Sequence, residues 1–416
     1  MAQLSDDCFA FGGDMLRVDE AMKLAAARLP AIGETESVAL GEADNRILAR
    51  DILAPLPLPP FTNSAVDGYA VRAADLAAGA PAILPIAGRY EAGSAAGALM
   101  LGHAARIFTG ARLPDGADTV FMQEDVTLDA GGVHLPHGLK AGANVRPAGE
   151  DIHKGAIALR AGTRLAPAHI GLAAALGLTQ IEVSRRLRVG VFSTGNELVS
   201  PGETPGAAQI FDANRFMLMA LLRRLGCEAR DLGILRDERA VLSQALTQAA
   251  GEHDLLLTSG GVSTGDADHV KGAVEDAGSL TFWRMAIKPG RPVAMGVVKG
   301  TPFIGLPGNP AAAFVTQAYV VRPAVMALMG ALPQPLVALP VPAAFSYKKK
   351  SGRREFVRAF LRPDANGRIE AHKFPREGAG LLSSLSETDG LVELGEDVTS
   401  VEPGNLVGFL GYAALY

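Results

Sequence analysis

Between residues 187 and 331 the sequence alternates short, almost continuous apolar runs with amphipathic stretches, and this alternation constrains the fold more than any other feature. The apolar runs include LRVGVFS, DLLLTSGG, PVAMGVV and PFIGLPG. Helix-like stretches such as DANRFMLMALLRRLG and ERAVLSQALTQAA separate them. Apolar strands that alternate with amphipathic helices are typical of a parallel sheet covered on both faces. We therefore predict a central parallel α/β domain over residues 187–331.

The flanking sequence predicts three further units. A proline run, PLPLPPF, begins at residue 55 and cannot continue a helix. Residues 55–149 then consist of short apolar runs divided by Gly and Pro, which predicts an inserted β-rich domain. The segments 1–54 and 150–186 contain helix-like stretches, and we predict that they form one bipartite helical linking domain; these stretches are DEAMKLAAARL, EADNRILARDI and PAHIGLAAALGL. Proline-rich sequence at 331–342 precedes alternating, glycine-punctuated sequence, which predicts a C-terminal β-barrel domain over 332–416.

Charge and cysteine content exclude several classes of protein. The 416 residues carry a formal net charge of −5, which gives no general field for binding nucleic acid or an anionic membrane. Cys8 and Cys227 lie far apart in the sequence, so neither a disulfide framework nor a thiolate metal site is indicated. The most apolar segment, 311–332, is interrupted by Gln317 and Arg322, which favours a buried helix over a membrane span. We expect a cytoplasmic protein with no nucleic-acid or membrane partner.

Three glycine-rich turns follow apolar runs of the α/β region, where open parallel sheets bind their ligands. They are STGNEL, SGGVSTGDAD and GLPGNP. In the third turn, Asn309 is a natural N-cap and Pro310 a natural first helical residue, so the next helix would present free N–H groups to an anion. We therefore take Pro307 and Asn309 as candidate substrate contacts.

The second turn indicates phosphate chemistry that depends on a cation. Gly260 and Gly265 have the glycine spacing of a phosphate loop, but Asp266 and Ala267 stand where a Walker A loop needs Lys and Ser or Thr. An acid beside a phosphate is repulsive unless a divalent cation lies between them, so Asp266 and Asp268 suggest phosphate bridged by Mg²⁺. The alternative is that both acids cap the following helix.

Cationic residues are concentrated shortly afterwards in the segment RMAIKPGRP. Lys288 and Arg291 lie on a turn that two prolines hold around a glycine, which makes a rigid cationic platform suited to an oxyanion. The alternative is a solvated basic turn. Near the proline run, the segment NSAVDGYA is by itself a weak signal, and a strand start with Asp67 and Gly68 in a turn explains it equally well.

Taken together, these motifs resemble the molybdopterin molybdenumtransferase family, which includes the bacterial MoeA proteins and the E-domain of gephyrin. The similarity runs along the whole chain, and the motifs occur in the family's order: PPFTNSAVDGYA, FTGARLPDGADTVFMQED, RPAGEDI, STGNEL, TSGGVSTGDAD, AIKPGRP and GLPGNPAAAF. The resemblance implies an elongated homodimer of four-domain subunits. Their domains would be a bipartite helical segment, an inserted β domain, an α/β domain of the molybdopterin-binding type and a C-terminal β-barrel.

The resemblance also implies an activity. Enzymes of this family insert molybdate into adenylylated molybdopterin with Mg²⁺, release AMP and give the molybdenum cofactor. Transient contacts with molybdopterin adenylyltransferase and with molybdoenzyme chaperones would follow from that place in cofactor synthesis. Two alternatives remain at this point: molybdopterin adenylyltransferase activity, because its α/β domain is similar, and a gephyrin-like scaffold that assembles partner proteins.

Site residues are carried over from the family by motif. The catalytic positions are Asp67, Asp268 and Lys288. Carboxylates implied for Mg²⁺ are Asp268 with Asp67, Glu197 or Asp237. Molybdate would be bound by Lys288, Arg353 and a serine, either Ser383 or Ser384. Further substrate contacts carried over by motif are Thr109, Ser263 and Glu197, and Arg291, Pro307 and Asn309 are added from the turns described above. Because the family builds its cleft across the dimer, Asp67 and Thr109 are expected to serve the partner's α/β domain.

Overall fold

The computed structural model describes residues 15–76, 80–261 and 269–416 of the chain. Its N-terminal part consists mostly of short strands, with a helix near each end. In chain order the elements are α1 (Val18–Ala27), β1 (Thr35–Ala39), β2 (Ile52–Leu53), β3 (Asn63–Ser64), β4 (Gly68–Val71), β5 (Ala82–Leu84), β6 (Ile86–Tyr90), β7 (Ala104–Ile107), β8 (Thr119–Met122), β9 (Thr127–Asp129), β10 (Gly132–Leu135), β11 (Val145–Arg146), β12 (Ile157–Leu159), α2 (Pro167–Ala175) and β13 (Gln180–Ser184).

Two small sheets organise the β-rich segment. One has the strand order β6-β7-β4-β8 and the other the order β5-β10-β9. Their apolar residues, which include Tyr69, Phe121 and Leu135, form a core of their own. The sequence on either side of this segment is joined by antiparallel pairing of β1 with β13 and of β2 with β12. These pairings bring residues 35–53 and 157–184 together.

The helix predicted over EADNRILARDI, residues 42–52, is wrong. After a short 3₁₀ turn at Leu40–Glu42, Asn45 adopts a positive φ of 62°, which a helix does not tolerate. Ile47 and Leu48 then make β-bridges to Arg164 and Val183. Long-range pairing overrides the helix propensity of this stretch, so strands contribute more than helices to the segments that were predicted to be helical.

The middle of the chain contains the alternating elements. They are β14 (Arg188–Thr194), β15 (Leu198–Val199), β16 (Ile210–Phe211), α3 (Asn214–Arg224), β17 (Glu228–Leu235), α4 (Arg239–Ala250), β18 (Leu255–Ser259), α5 (His269–Ala277), β19 (Gly278–Arg284), β20 (Ile287–Lys288), β21 (Pro292–Val298), β22 (Thr301–Leu306), α6 (Pro310–Thr316) and α7 (Arg322–Leu328). A π-helical turn, Gln317–Val321, joins α6 to α7.

Six of these strands form one sheet in the order β17-β14-β18-β22-β21-β19. The prediction of a parallel sheet is correct for β17, β14, β18 and β22 only, because β21 and β19 are antiparallel to their neighbours. The reversal follows from the tight connection between β21 and β22, where Lys299 and Gly300 have φ of 49° and 91°. Parallel neighbours need a long crossover, whereas a two-residue turn permits only a hairpin.

Apolar clusters cover both faces of this sheet. One contains Phe192, Leu246 and Phe303 with residues of α4 and α5. The other contains residues of α3, α6 and α7 and extends to α1 and to the C-terminal strands. The continuous helix Pro310–Leu328 is long and apolar enough to cross a membrane, but 89% of its most apolar window is buried inside the protein. The prediction of a buried helix in this segment is confirmed.

The C-terminal strands form a closed ring. The elements are β23 (Leu339–Pro342), β24 (Tyr347–Lys348), β25 (Arg354–Pro363), β26 (Ile369–Lys373), α8 (Ser383–Ser386), β27 (Gly390–Leu394), β28 (Ser400–Val401) and β29 (Leu406–Gly411). Pairing runs in the order β23-β29-β27-β25-β26, and a bridge between Ala343 and Ala371 returns from β26 to the end of β23. An apolar core that includes Phe345, Val392 and Phe409 fills the ring.

A carboxylate that is only 10% exposed, that of Asp254, links the N-terminal segment to the central sheet. Its Oδ2 accepts hydrogen bonds from Arg185 Nη1 at 2.9 Å and from the Arg188 backbone at 2.7 Å. Its Oδ1 accepts one from Arg188 Nη2 at 2.9 Å. Burial by itself would raise the pKa of Asp254, but the hydrogen bonds from both arginines hold this pKa well below its ordinary value of 3.8. The carboxylate therefore stays charged and fixes Arg185 against the start of β14.

Replacing Asp254 by Asn should lower the apparent free energy of unfolding by about 2 kcal/mol at pH 7, because two guanidinium groups lose their charged partner. The folded-state pKa is depressed, so this stabilisation is present above the ordinary value of 3.8 and is lost as the pH falls through and below it. The difference between wild type and variant, measured by denaturant unfolding from pH 7 to pH 3, should therefore shrink at the acidic end.

The matched control is Asp276→Asn. Asp276 also binds an arginine with both oxygens, but Arg239 and Asp276 are 56% and 40% exposed. Solvent screens such a pair, so its loss should have a much smaller effect than the loss of Asp254. Equal effects of the two substitutions would contradict the importance of burial at Asp254.

Candidate active site

A cleft of about 670 Å³ lies between the strand-end turns of the central sheet and the C-terminal strands β25 and β26. Its lining comes from the strand-end turns, the KPGRP turn and the C-terminal part of the chain. The strand-end turns contribute Glu197, Gly260, Gly261, Pro307, Gly308, Asn309 and Ala312, and the KPGRP turn contributes residues 287–292. The C-terminal part contributes Tyr347, Arg353, Glu355, Phe356, Val357 and Arg358 from one side and Lys373, Phe374, Arg376, Glu377, Gly378 and Ala379 from the other.

The two sides of the cleft are held together by backbone pairing between β20 and β25. These strands are parallel, with Ile287 opposite Arg354 and Lys288 opposite Glu355. The Arg354 amide donates a 2.8 Å hydrogen bond to the Ala286 carbonyl, and its guanidinium binds both oxygens of Asp19 in α1 at 2.9 and 2.8 Å. The turn that carries Lys288 is thus fixed to the C-terminal ring.

The cleft is cationic, although the whole chain has a net charge of −5. Among the described residues, its lining contains six cationic side chains, which are Lys288, Arg291, Arg353, Arg358, Lys373 and Arg376, and three acidic ones, which are Glu197, Glu355 and Glu377. A cleft of one prevailing charge concentrates ligands of the opposite charge. The arrangement is suited to an anionic substrate.

The most organised group in the cleft surrounds Glu355, whose side chain is only 1% exposed. Glu355 Oε1 accepts a 2.6 Å hydrogen bond from Arg353 Nε. Glu355 Oε2 accepts hydrogen bonds from the Tyr347 hydroxyl at 2.8 Å and from Lys288 Nζ at 3.2 Å. Burial would raise the pKa of Glu355, but the bonds from Tyr347, Arg353 and Lys288 hold this pKa below its usual range. Burial, followed by the bond to Glu355, raises the pKa of Tyr347.

The two candidate serines lie one contact behind the cleft wall. Ser384 is fully buried; its Oγ accepts a 3.0 Å hydrogen bond from Arg358 Nε and donates one to the Leu381 carbonyl. Ser383 Oγ accepts a 3.2 Å hydrogen bond from Arg376 Nη2. Because Ser384 already uses its hydrogen for Leu381, Ser383 is the better placed of the two to donate a hydrogen bond to a ligand.

The strand-end turns are tied to one another below the cleft floor. Asn214, at the start of α3, donates from Nδ2 to Ser259 Oγ at 2.8 Å and to the Gly308 carbonyl at 2.7 Å. Glu197 lies against Gly195, where an added Cβ would come within 2.5 Å of Glu197 Oε2. As predicted, Asn309 occupies the N-cap position before Pro310, although its side chain makes no capping hydrogen bond.

Asp67 and Thr109 form a pair away from the cleft lining. Asp67 Oδ1 accepts hydrogen bonds from Thr109 Oγ1 at 2.7 Å and from the Thr109 backbone at 2.8 Å. The pair results from strand register, because β4 and β7 place Gly68 opposite Ile107. The two bonds from Thr109 lower the pKa of Asp67. The structure therefore brings these two residues together but does not bring them to Lys288 within one chain.

In the described part of the chain, the carboxylates that were predicted to bind Mg²⁺ do not lie together. Glu197 lines the cleft, whereas Asp67 and Asp237 do not. Asp237 Oδ1 is buried and has no hydrogen-bond partner among the described residues. In residues 15–76, 80–261 and 269–416 no group of three His, Cys, Asp or Glu side chains could hold a metal ion. Ser263 and Asp268 lie outside the described residues. These side chains do not by themselves fit a Mg²⁺ site.

Sequence reasoning found much of the cleft and missed part of it. Six predicted residues line it together, which are Glu197, Lys288, Arg291, Pro307, Asn309 and Arg353. It missed Tyr347, Glu355 and Arg358. A usable signal existed in the segment RREFVR, where an acid lies among arginines at the start of an apolar strand. A buried acid in such sequence needs cationic partners.

These features define a multidomain α/β protein with a cationic cleft for an anionic substrate. The chain matches three family descriptions: "MoeA N-terminal region (domain I and II)" over residues 16–177, "Probable molybdopterin binding domain" over 190–327 and "MoeA C-terminal region (domain IV)" over 340–411. It is 41% identical to the molybdopterin molybdenumtransferase of Haemophilus influenzae, over 94% of this chain and 99% of the relative. It is 37% identical to molybdopterin molybdenumtransferase 2 of Mycobacterium tuberculosis, over 88% and 93%.

Among solved structures, the molybdopterin biosynthesis MoeA protein of Pyrococcus horikoshii OT3 is similar with a TM-score of 0.80 and 30% identity, covering 96% of this chain and 100% of that one. The chain therefore belongs to the molybdopterin molybdenumtransferase family. It is an enzyme of molybdenum cofactor biosynthesis.

Replacing Gly290 by Ala should disrupt the KPGRP turn. Gly290 has a φ of 114°, and an added Cβ would lie 2.6 Å from Thr316 Cγ2 and 3.3 Å from the Ala312 carbonyl oxygen. The turn would have to move, and a displacement of catalytic groups by about 1 Å can cost about a hundredfold in rate. We expect the specific activity in molybdenum insertion to fall by about tenfold to a hundredfold.

Gly300→Ala is the control for backbone strain alone. Gly300 has a similar φ of 91°, but an added Cβ there would meet nothing within 4 Å. Its activity should stay within about twofold of wild type, because the strain is confined to a remote hairpin. Equal losses in both variants would contradict the proposed packing constraint at Gly290.

Proposed function

We propose that the enzyme inserts molybdate into the dithiolene of adenylylated molybdopterin and releases AMP, which gives molybdenum-loaded molybdopterin. The observation that carries the proposal is the cationic cleft between the strand-end turns and the C-terminal ring. The substrate contains a pyrophosphate linkage and molybdate is a second anion, so such a reaction needs several cations in one cleft. The names of the relatives support the same conclusion.

Molybdate binding is assigned to the side of the cleft near Glu355. Lys288 Nζ and the Arg353 guanidinium converge there from β20 and from the residue before β25. Both side chains carry several N–H donors, and a tetrahedral oxyanion accepts hydrogen bonds from different directions. Ser383 is the candidate for a neutral donor. The substrate supplies the sulfur ligands, so the protein needs no reactive thiol, and Cys227 is buried with a pKa raised to about 12.

The nucleotide and pterin parts of the substrate are assigned to the strand-end turns. Glu197, Pro307 and Asn309 line that side, and Arg291 faces the cleft from the neighbouring turn. Backbone at strand ends and at the start of a helix is suited to phosphate groups. Ser263 belongs to the same proposal through its motif. This placement would hold the pyrophosphate linkage between the nucleotide side and the molybdate side.

Dependence on Mg²⁺ is also part of the proposal. Hydrolysis of a pyrophosphate linkage is usually assisted by a divalent cation, which neutralises charge on the phosphate oxygens. Asp268, the first predicted ligand, lies outside the described residues, and Glu197, one of the ligands predicted to accompany it, lines the cleft. No catalytic step is assigned to the metal, since the described residues do not form its site.

A shared cleft in a homodimer would explain the position of Asp67 and Thr109. The two side chains form a hydrogen-bonded pair that does not line the cleft of its own chain. We propose that this pair reaches the cleft of the partner subunit. A cytoplasmic location and transient contacts with molybdopterin adenylyltransferase and with molybdoenzyme chaperones remain predictions from the sequence.

Purified enzyme should release AMP from adenylylated molybdopterin only when molybdate and Mg²⁺ are both present. Lys288→Ala should raise the molybdate concentration for half-maximal rate by about tenfold or more, because a charged hydrogen bond contributes about 1.5–3 kcal/mol. Repeating the AMP-release assay with tungstate in place of molybdate would show which oxyanion the enzyme prefers.

Lys350→Ala is the matched control, since Lys350 is an exposed lysine that does not line the cleft. It should leave the half-saturating molybdate concentration unchanged. If Lys288→Ala changed only the affinity for AMP, Lys288 would instead be assigned to binding the nucleotide. Formation of adenylylated molybdopterin from ATP, without molybdenum insertion, would favour the adenylyltransferase alternative.

Mixed dimers would test the shared cleft. Assayed at a molybdate concentration well below the half-saturating value of the wild type, Asp67→Ala and Lys288→Ala should each have at most about a tenth of the wild-type activity alone. After co-refolding or subunit exchange in equal amounts, half of the dimers should be mixed, and each mixed dimer should contain one intact cleft. Activity should therefore return to about a quarter of the wild-type value. Mixtures that stay as inactive as the single variants would contradict a cleft shared between subunits.

A further inference from the structure

We propose that Glu355 is the positioning residue of the oxyanion site: its carboxylate orients Lys288 and Arg353 so that their remaining N–H groups face the same point in the cleft. The inference rests on the proposed function, because it takes molybdate as the anion that these two cations bind. Glu355 itself would not touch the oxyanion.

The carboxylate is fixed on both oxygens. Oε1 is bound by Arg353 and Oε2 by Lys288 and Tyr347, over distances of 2.6 to 3.3 Å within the group. Glu355 is 1% exposed, whereas Lys288 is 48% exposed and Arg353 is 18% exposed. The acid therefore lies beneath the two cations, with both of them between it and the open cleft.

Arg353 and Lys288 each keep N–H groups that do not bind Glu355 or Tyr347 and could bind a ligand. Arg353 binds Glu355 through Nε, and among the described residues its terminal amino groups have no hydrogen-bond partner. With the described residues, Lys288 Nζ makes two hydrogen bonds, one to Glu355 and one to the Tyr347 hydroxyl, so one of its three N–H groups has no partner among them. These free donors are the ones expected to bind the oxyanion.

Backbone pairing explains why the Glu355 carboxylate can reach both Lys288 and Arg353. Lys288 and Glu355 are directly opposite each other on β20 and β25, and Arg353 precedes β25 by one residue. Side chains at opposed positions of adjacent strands lie within reach of each other. The position of the two cations is thus set by the backbone, and their orientation is set by Glu355.

The charges also indicate that Glu355 acts by orienting the two cations, because a carboxylate cannot attract the oxyanion itself. A carboxylate near a bound dianion is repulsive, and burying it costs free energy unless it is paired. Without Glu355, however, Lys288 and Arg353 would repel each other and separate in solvent. The hydrogen bonds keep the pKa of Glu355 low, which agrees with a charged group at neutral pH. One buried acid between two cations leaves a net positive charge for the anion.

The test is to measure molybdate binding by calorimetry without the pterin substrate, and steady-state kinetics with it. Glu355→Gln keeps the size of the side chain but cannot pair with both cations as a charged acceptor. Its dissociation constant and half-saturating concentration for molybdate should rise by about tenfold, while the half-saturating concentration of adenylylated molybdopterin should stay within about twofold. Glu355→Asp, which keeps the charge, should give a smaller rise in the molybdate values.

Two further variants keep the test decisive. Tyr347→Phe removes one hydroxyl that binds Glu355 and should raise the molybdate values by about threefold, even if Glu355→Gln folds poorly. Glu377→Gln removes an acid that also lines the cleft but pairs with Lys373, at 2.8 Å. It should not raise the molybdate values, because it removes a negative charge from the cleft and breaks no hydrogen bond of Lys288 or Arg353.

The outcomes separate the inference from the function on which it rests. Wild-type enzyme that neither binds molybdate nor releases AMP would reject the proposed function. Active wild type with unchanged molybdate values in Glu355→Gln and Tyr347→Phe would overturn the positioning role alone. A lower dissociation constant for molybdate in Glu355→Gln would also overturn it, since the carboxylate would then act only as a competing counter-ion.

Discussion

The pairing of β20 with β25 is the constraint on which the cleft depends. Two residues of the central region add a short parallel strand to the edge of the C-terminal ring, in a register that places Lys288 opposite Glu355. Arg354, in the same strand, binds Asp19 of α1 through both terminal nitrogens. The strand pairing and this ion pair therefore fix the cationic turn, the C-terminal ring and the first helix to one another.

Buried acids between arginines and lysines recur at the junctions of this molecule. Asp254 binds Arg185 and Arg188 where the N-terminal segment meets the central sheet, and Glu355 binds Lys288 and Arg353 at the cleft. A buried acid is costly unless it is fully paired, so each such group demands one arrangement of its partners. At the first junction the result is a fixed interface, and at the second it is a fixed set of donors for an anion.

Prediction from sequence succeeded where the pattern was local and failed where pairing was distant. The helices α1 and α2, the buried helix Pro310–Leu328 and four parallel strands follow from helix-forming residues and apolar runs within short windows of sequence. The helix predicted over residues 42–52 is replaced by bridges to Arg164 and Val183, more than a hundred positions away. The reversed direction of β21, which is antiparallel to both β22 and β19, is a property of its connections, which apolar patterning does not encode.

The sequence by itself determined the types of group in the cleft: glycine turns after apolar strands, a rigid turn with Lys288 and Arg291, and a family resemblance that the comparisons confirm. Only the tertiary structure decided which of these groups meet. Lys288 and Glu355 are 67 positions apart and are joined by strand register, while Asp67 and Thr109 pair with each other away from the cleft. The physical reason is that hydrogen-bond geometry and burial act between neighbours in space, and a chain specifies such neighbours only after it folds.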